Sequence, residues 1–146
     1  MSKFNFDRVL RNVEQMKQEL PKELANDTQK FFNAAFVKQG WDGKTWKTPQ
    51  RRIAGTNPYK YPKFKDLGRR TRATLVKTGR LRRTVATALK QASFESIKFF
   101  VDLPYASVHN NGEGNIPQRK FMGDSPTLRK LQRAKIKKVI DSIWQA

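Results

Sequence analysis

One histidine, His109, twelve acids and no cysteine are all this 146-residue chain offers for acid–base, nucleophilic or metal chemistry. His109 precedes Glu113 and Asp124, either of which could orient its ring, yet a histidine at a bend most simply makes one backbone hydrogen bond. With no second imidazole and no thiolate, neither a His/Cys metal cluster nor a Ser–His–Asp arrangement can be assembled with groups to spare. The acids are scattered, without the close pair that hydrolases and two-metal nucleases use. Gly112-Glu113-Gly114 is too short for a phosphate-binding fingerprint, which needs a strand before it and a helix after it. The residues therefore predict a protein that is not an enzyme and carries no cofactor or metal. A small nuclease or toxin would need an acid–histidine site that these residues do not build.

Charge is the stronger signal. Lys and Arg number 31 against 12 Asp and Glu, a net +19 and a sequence pI near 10.7. Up to Asp42 seven bases meet six acids; residues 44–90 hold fifteen bases and one acid, Asp66; from Gln91 onward nine bases meet five acids. Such a block binds polyanions, docks on an acidic protein, or stays a solvated segment. Within it Pro49, Pro58 and Pro62 alternate with Tyr59, Tyr61, Phe64 and basic side chains. Residues 44–66 thus read as a long loop, of a length that is usually functional or disordered. Bases interleaved with aromatics suit nucleic-acid backbones and stacked bases, and they suit a protein interface as well.

The elements that must carry this block follow from periodicity. Phe6, Val9, Leu10, Val13, Met16 and Leu20 recur at helical spacing, and Leu24, Phe31, Phe32, Ala35 and Phe36 do so beyond Pro21. That predicts two helices, or one long kinked helix, whose aromatic stripe is core. Val85, Thr87 and Leu89 alternate, as do Ile97, Phe99, Val101 and Leu103 after a turn near Ala92-Ser93, which predicts an antiparallel hairpin with one buried face. Phe94 and Phe100 fall off that stripe and are expected under a helix or at an edge. Ser125-Pro126 is an N-cap followed by proline at the first helical position. Leu128, Leu131, Ile136, Val139, Ile140, Ile143 and Trp144 then predict a terminal helix that belongs to the core. The order predicts one α+β domain: a small antiparallel sheet packed by N-terminal helices and a C-terminal helix, with a long basic loop. No apolar run approaches the length of a membrane span and no signal-peptide core follows Met1, so a soluble, unprocessed intracellular protein is expected.

Residues 105–123 join these elements. Tyr105 to Gly112 reads as a short helix closed by glycine, and Pro117 fixes an extended return through Ile116. The expected structural residues of this corner are Tyr105, His109, Gly112, Pro117, Arg119, Phe121 and Gly123.

Four short patterns in this region resemble the phage virion morphogenesis family, the tail-completion or head–tail joining proteins of tailed phages and prophages. Phe36-x-x-Gln39-Gly40 with Gly43-x-x-Trp46 is similar to its "F..qg...G..W" segment. Thr78-Gly79-Arg80-Leu81-Arg82-Arg83-Thr84 resembles the "tG.Lr.S/T" that opens its sheet. Tyr105-Ala106-x-x-His109-x-x-Gly112 is similar to its "YA..H..G", and Ile116-Pro117-x-Arg119-x-Phe121-Met122-Gly123 to its "iPaR.flG". The patterns occur in the family's order, while the length and basicity of residues 51–66 depart from it. The resemblance implies an α+β subunit of a ring, often six-fold, between the head connector or adaptor and the tail tube or terminator protein. DNA passes through such a ring without catalysis, and the implied localisation is the virion neck or tail, with host cytoplasm during assembly. Together with the charge, it makes Arg51, Arg52, Lys60, Lys63, Lys65, Arg69, Arg70, Arg72, Arg80, Arg82 and Arg83 candidates to face the DNA path or an acidic partner. The alternative is a stand-alone, sequence-nonspecific nucleic-acid-binding protein.

Overall fold

Helix α1 runs from Phe6 to Lys38, opened by Asn5, whose Oδ1 accepts the Arg8 amide at 3.0 Å. It continues through Pro21, so of the two expected arrangements, two helices or one long helix, the chain adopts the single helix. Proline removes a helical N–H at that point, and the buried Leu20 and Ala25 on either side supply packing that offsets the loss. The computed structural model describes residues 5–61 and 67–145; Lys63 and Lys65 lie outside the described residues. After α1 come a two-residue hairpin, β1 (Gly40–Trp41) and β2 (Lys44–Thr45), a 3-10 turn at Gln50–Arg52 and the one-turn helix α2 (Asn57–Lys60). The expected loop is thus punctuated by short elements at Pro49 and Pro58. A 3-10 turn at Leu67–Arg69 leads to α3 (Arg80–Ala86), the hairpin β3 (Leu89–Ala92) and β4 (Ile97–Phe100), α4 (Pro104–Asn111) and α5 (Pro126–Trp144). The architecture is α+β: the described residues form five α-helices with two antiparallel two-stranded sheets.

The chain divides into two compact units. One comprises Met1–Phe31, Ala88–Phe100 and Asp124–Ala146; the other comprises Phe32–Thr87 and Val101–Gly123. In the first, β3 pairs with β4 in the register Leu89 to Phe100 and Ala92 to Ile97, closed by the Ser93 amide donating to the Ser96 carbonyl at 2.9 Å. The predicted hairpin therefore exists, but it begins later than its alternation suggested. Val85 lies in α3 and is fully buried, four residues after buried Leu81, and Thr87 caps that helix. A helical i, i+4 pair here imitated the start of a period-two run. Phe94 and Phe100 are exposed, Phe100 at the end of β4, an edge strand of its two-stranded sheet.

Ser125 caps α5 as its type predicts, its Oγ accepting the Leu128 amide at 3.1 Å. The buried stripe of α5 is narrower than expected. Leu128 and Ile143 are buried, with Gln132, Lys135, Ile136 and Val139 half-buried on the same stripe, whereas Leu131, Ile140 and Trp144 are 57%, 41% and 62% exposed. At about 100° per residue, Leu131 falls on one flank and Ile140 and Trp144 on the other. Polar contacts instead fix α5 against α1 within this unit. Gln132 donates to Thr28 Oγ1 at 3.0 Å, and Lys135 Nζ reaches Asp27 at 2.6 Å and Glu23 at 3.0 Å.

Candidate functional site: a clamped corner and a basic cavity

The second unit is built on aromatic contacts between segments far apart in sequence. Phe36, near the end of α1, meets Phe121 with ring centroids 5.2 Å apart and the edge of Trp46 at 5.8 Å. Trp41 packs on Phe32 at 5.9 Å. Offset and edge-on pairs of this kind add about 0.5–1.5 kcal/mol each beyond area burial. Trp46 also donates its indole N–H to the Lys120 carbonyl at 2.8 Å, so the chain after Pro117 is held by a side chain over seventy residues upstream. Gln39 acts similarly on residue 74: its Oε1 accepts the Thr74 amide at 2.6 Å and its Nε2 donates to the Thr74 carbonyl at 3.3 Å.

The corner itself has the form that the residue types predict, in a longer helix. Pro104 starts α4, which makes two turns and ends at Gly112 with φ +75°, in the left-handed region. Glycine is required there twice over: the dihedral disfavours side chains, and a Cβ would lie 2.7–2.9 Å from Gln118, including its backbone nitrogen and Cα. Beyond Pro117 the chain is extended without joining a strand, so the expected return strand is a clamped single segment. The Arg119 amide donates to the His109 carbonyl at 2.8 Å, and Gln118 Nε2 to the Asn110 carbonyl at 3.1 Å. Asn110 Oδ1 accepts two amides, Phe121 at 2.9 Å and Met122 at 3.0 Å. Asn110 was invisible to pattern reading because its role is to satisfy a backbone that has no sheet partner. Arg119 is buried and reaches the Lys47 carbonyl at 3.3 Å; burial lowers its pKa.

On its other face α4 lines a cavity. Tyr105 and His109, one turn apart, present their rings at 79° with centroids 6.3 Å apart. With Arg51, Arg69, Arg72, Lys77 and Arg80 they border a space of about 470 Å³, completed by Ala73, Leu75, Thr78 and Leu81. Among the described residues no Asp or Glu lines it. Arg51 is fixed by its own neighbours, Nε donating to the Arg69 carbonyl at 2.9 Å and an Nη to the Arg72 carbonyl at 3.3 Å. Burial, then repulsion from Arg72, Arg69, Arg119 and Arg52, lowers its pKa. Burial, with a smaller contribution from Arg119, also lowers the pKa of His109, whose buried Nδ1 has no hydrogen-bond partner among the described residues.

Four of the predicted basic residues, Arg51, Arg69, Arg72 and Arg80, therefore come together, joined by Lys77. Arg52, Lys60, Arg82 and Arg83 are exposed and do not line the cavity. Arg70 lies outside it too, stacked 4.2 Å over the Tyr59 ring while donating to the Tyr59 carbonyl at 2.8 Å. None of Arg51, Arg52, Arg69, Arg70, Arg80, Arg82 and Arg83 forms a salt bridge among the described residues. Thr78-Gly79, expected to open a sheet, opens α3 instead, with Gly79 at the N-cap. That places Arg80 at the cavity mouth and Leu81 in its wall. Among the described residues no group of three or more His, Asp or Glu could hold a metal ion, and no helix is long and apolar enough to cross a membrane. What the arrangement can do chemically is attract and seat an anion. Compared with models of known protein families, with curated proteins and with solved structures, the chain matches none.

Proposed function

We propose that this chain is a structural virion protein of a tailed phage or prophage: a tail-completion or head–tail joining component. It assembles as a ring, six-fold favoured, between the head connector and the tail tube, with DNA passing through. The observation that carries the reading is the meeting of its motif segments. Phe36 and Gln39, Trp46, the α4 residues Tyr105, His109 and Gly112, and Arg119 to Met122 come from three stretches of chain. They converge on the aromatic cluster and clamped corner of one compact unit. Residues that share one structural job would be kept together in a morphogenesis subunit, and none of them is placed for turnover. The basic segment supports the same reading. Copies at +19 brought together in a ring repel unless their cations face phosphates or acidic neighbours, since screening extends only about 8 Å at physiological salt.

Native mass measurement and negative-stain imaging of the purified chain, alone and with connector and tail-tube proteins, test this. A closed ring, or incorporation at the neck of a particle, is the expected result; a chain that remains monomeric with both partners and is dispensable for joining heads to tails refutes it. The second reading, a stand-alone nucleic-acid-binding protein, is favoured by Arg51, Arg69, Arg70 and Arg80, which form no salt bridge among the described residues. It predicts a mobility shift of DNA or RNA by monomer or dimer, with affinity falling roughly 0.9 log unit per phosphate contacted per log unit of salt.

A further inference from the structure

We propose that the cavity bordered by Arg51, Arg69, Arg72 and Arg80 is a seat for a phosphate group, either a backbone phosphate of nucleic acid or a free di- or polyphosphate. This rests on the reading above only in taking the basic segment to meet phosphates; it requires no ring.

Three features distinguish the cavity from a merely basic surface. First, Arg51, Arg69, Arg72, Lys77 and Arg80 converge on one space, and among the described residues its lining holds no Asp or Glu. Second, Arg51 is already oriented. Two of its five N–H donors are committed to the Arg69 and Arg72 carbonyls, which leaves three for a ligand and removes much of the ordering cost of binding. A planar fork held this way matches the paired oxygens of a phosphate. Third, Tyr105, His109, Leu75 and Leu81 are among its lining, so the cations border partly apolar walls, beside which charge attraction is stronger than in open water. The repulsion from Arg72 and Arg69 that Arg51 feels beside its burial is offset when an anion enters. A volume of about 470 Å³ exceeds one phosphate and lies in the range of small-molecule sites, roughly 300–1,000 Å³. A phosphate with its attached sugar, or two linked phosphates, therefore fills it better than a lone ion.

His109 is the only histidine, so its imidazole signals in an NMR spectrum of the full chain need no assignment and report directly on the cavity wall. Pyrophosphate and a short DNA oligonucleotide serve as probes, each titrated at physiological salt. Expected is a saturable shift of the His109 signals with pyrophosphate. Arg80→Gln should weaken it about five- to tenfold, while Arg82→Gln, the same charge loss from the same helix but outside the cavity, should change it less than twofold. Arg51→Lys should weaken it too, and Arg80→Gln keeps the test valid if that variant loosens the loop. Competition by the oligonucleotide identifies the source as nucleic acid; binding of pyrophosphate without competition identifies a free phosphate ligand. His109 signals unmoved by both probes, or equal weakening by Arg80→Gln and Arg82→Gln, overturn the proposal. Ring formation is read by mass, so neither result can be mistaken for failure of the assembly reading.

Discussion

Replacing Asn110 with alanine should unfasten the corner, and the structure sets the size of the effect. Asn110 Oδ1 accepts the amides of Phe121 and Met122, neither of which has a strand to pair with. A buried donor left unmade costs about 1–3 kcal/mol. Phe121 is 1% exposed, so its amide belongs in the upper half of that range; Met122 is half-buried and can recruit water, so it belongs near the bottom. The sum is about 3–4 kcal/mol, or a fall in Tm of roughly 6–16 °C for a chain this size. Asn110→Asp retains an acceptor for both amides, and a charged acceptor strengthens such bonds, so it should remain near wild type. Trp41 and Trp46 both pack in this unit, and Trp46 is bonded to the same return segment, which makes urea unfolding followed by tryptophan fluorescence a direct assay. Hydrogen exchange at the Phe121 and Met122 amides localises the change. A loss below about 0.5 kcal/mol for Asn110→Ala, or equal damage from Asn110→Asp, would refute the acceptor role.

Gly112→Ala should destabilise by roughly 2–4 kcal/mol, because left-handed strain of about 1–2 kcal/mol adds to a collision with the Gln118 backbone; calorimetry showing wild-type stability would contradict it. His109 should make stability fall on acidification. Its native pKa lies below the ordinary 6.5, so the unfolded chain takes up the proton first as pH drops through 6.5, and the decline ends once the native imidazole protonates. His109→Gln should remove this component from urea midpoints compared at pH 7.5 and 5.5. Lys135→Met should cost the first unit only about 0.5–1 kcal/mol, since its partners Asp27 and Glu23 are about half exposed. Hydrogen bonds to those two raise its pKa, so their contribution is complete below the ordinary lysine value of 10.5 and disappears as pH rises through the raised one.

Elements whose signal is local were legible in the sequence. Ser125-Pro126 starts α5 because an N-cap hydroxyl and a proline at N1 act on their own turn, and Gly112 closes α4 because a left-handed residue is needed there. What could not be read depends on partners far along the chain. Val85 alternates with Thr87 and Leu89 on paper, yet its pairing with Leu81 across a helical turn decides its conformation. Leu131, Ile140 and Trp144 are apolar enough for a core, but the stripe through Leu128 and Ile143 is the one that meets other elements. The basic residues could be counted in advance but not sorted. Only the path of the chain through Gln50–Arg52, Leu67–Arg69 and α3 separates Arg51, Arg69, Arg72 and Arg80 from Arg52, Arg82 and Arg83.

The corner and the cavity are two faces of one helix, and that ties the stability of the unit to its charge chemistry. Within α4, the His109 carbonyl accepts the Arg119 amide while its ring forms part of the cavity wall. Asn110, one residue on and rotated by about 100°, holds Phe121 and Met122 in the aromatic cluster. A chain that gathers several guanidinium groups around one cavity must resist their mutual repulsion before any anion arrives. Arg51 does so through backbone carbonyls, and the part of the wall that α4 supplies does so through a helix pinned by a clamp of uncharged hydrogen bonds. Loosening the clamp should therefore widen the cavity and weaken anion seating even though no cation has been removed. Neutralising Arg80, exposed on α3, should weaken seating and leave the clamp intact. That asymmetry is what a preorganised site predicts and a patch of mobile surface charge does not.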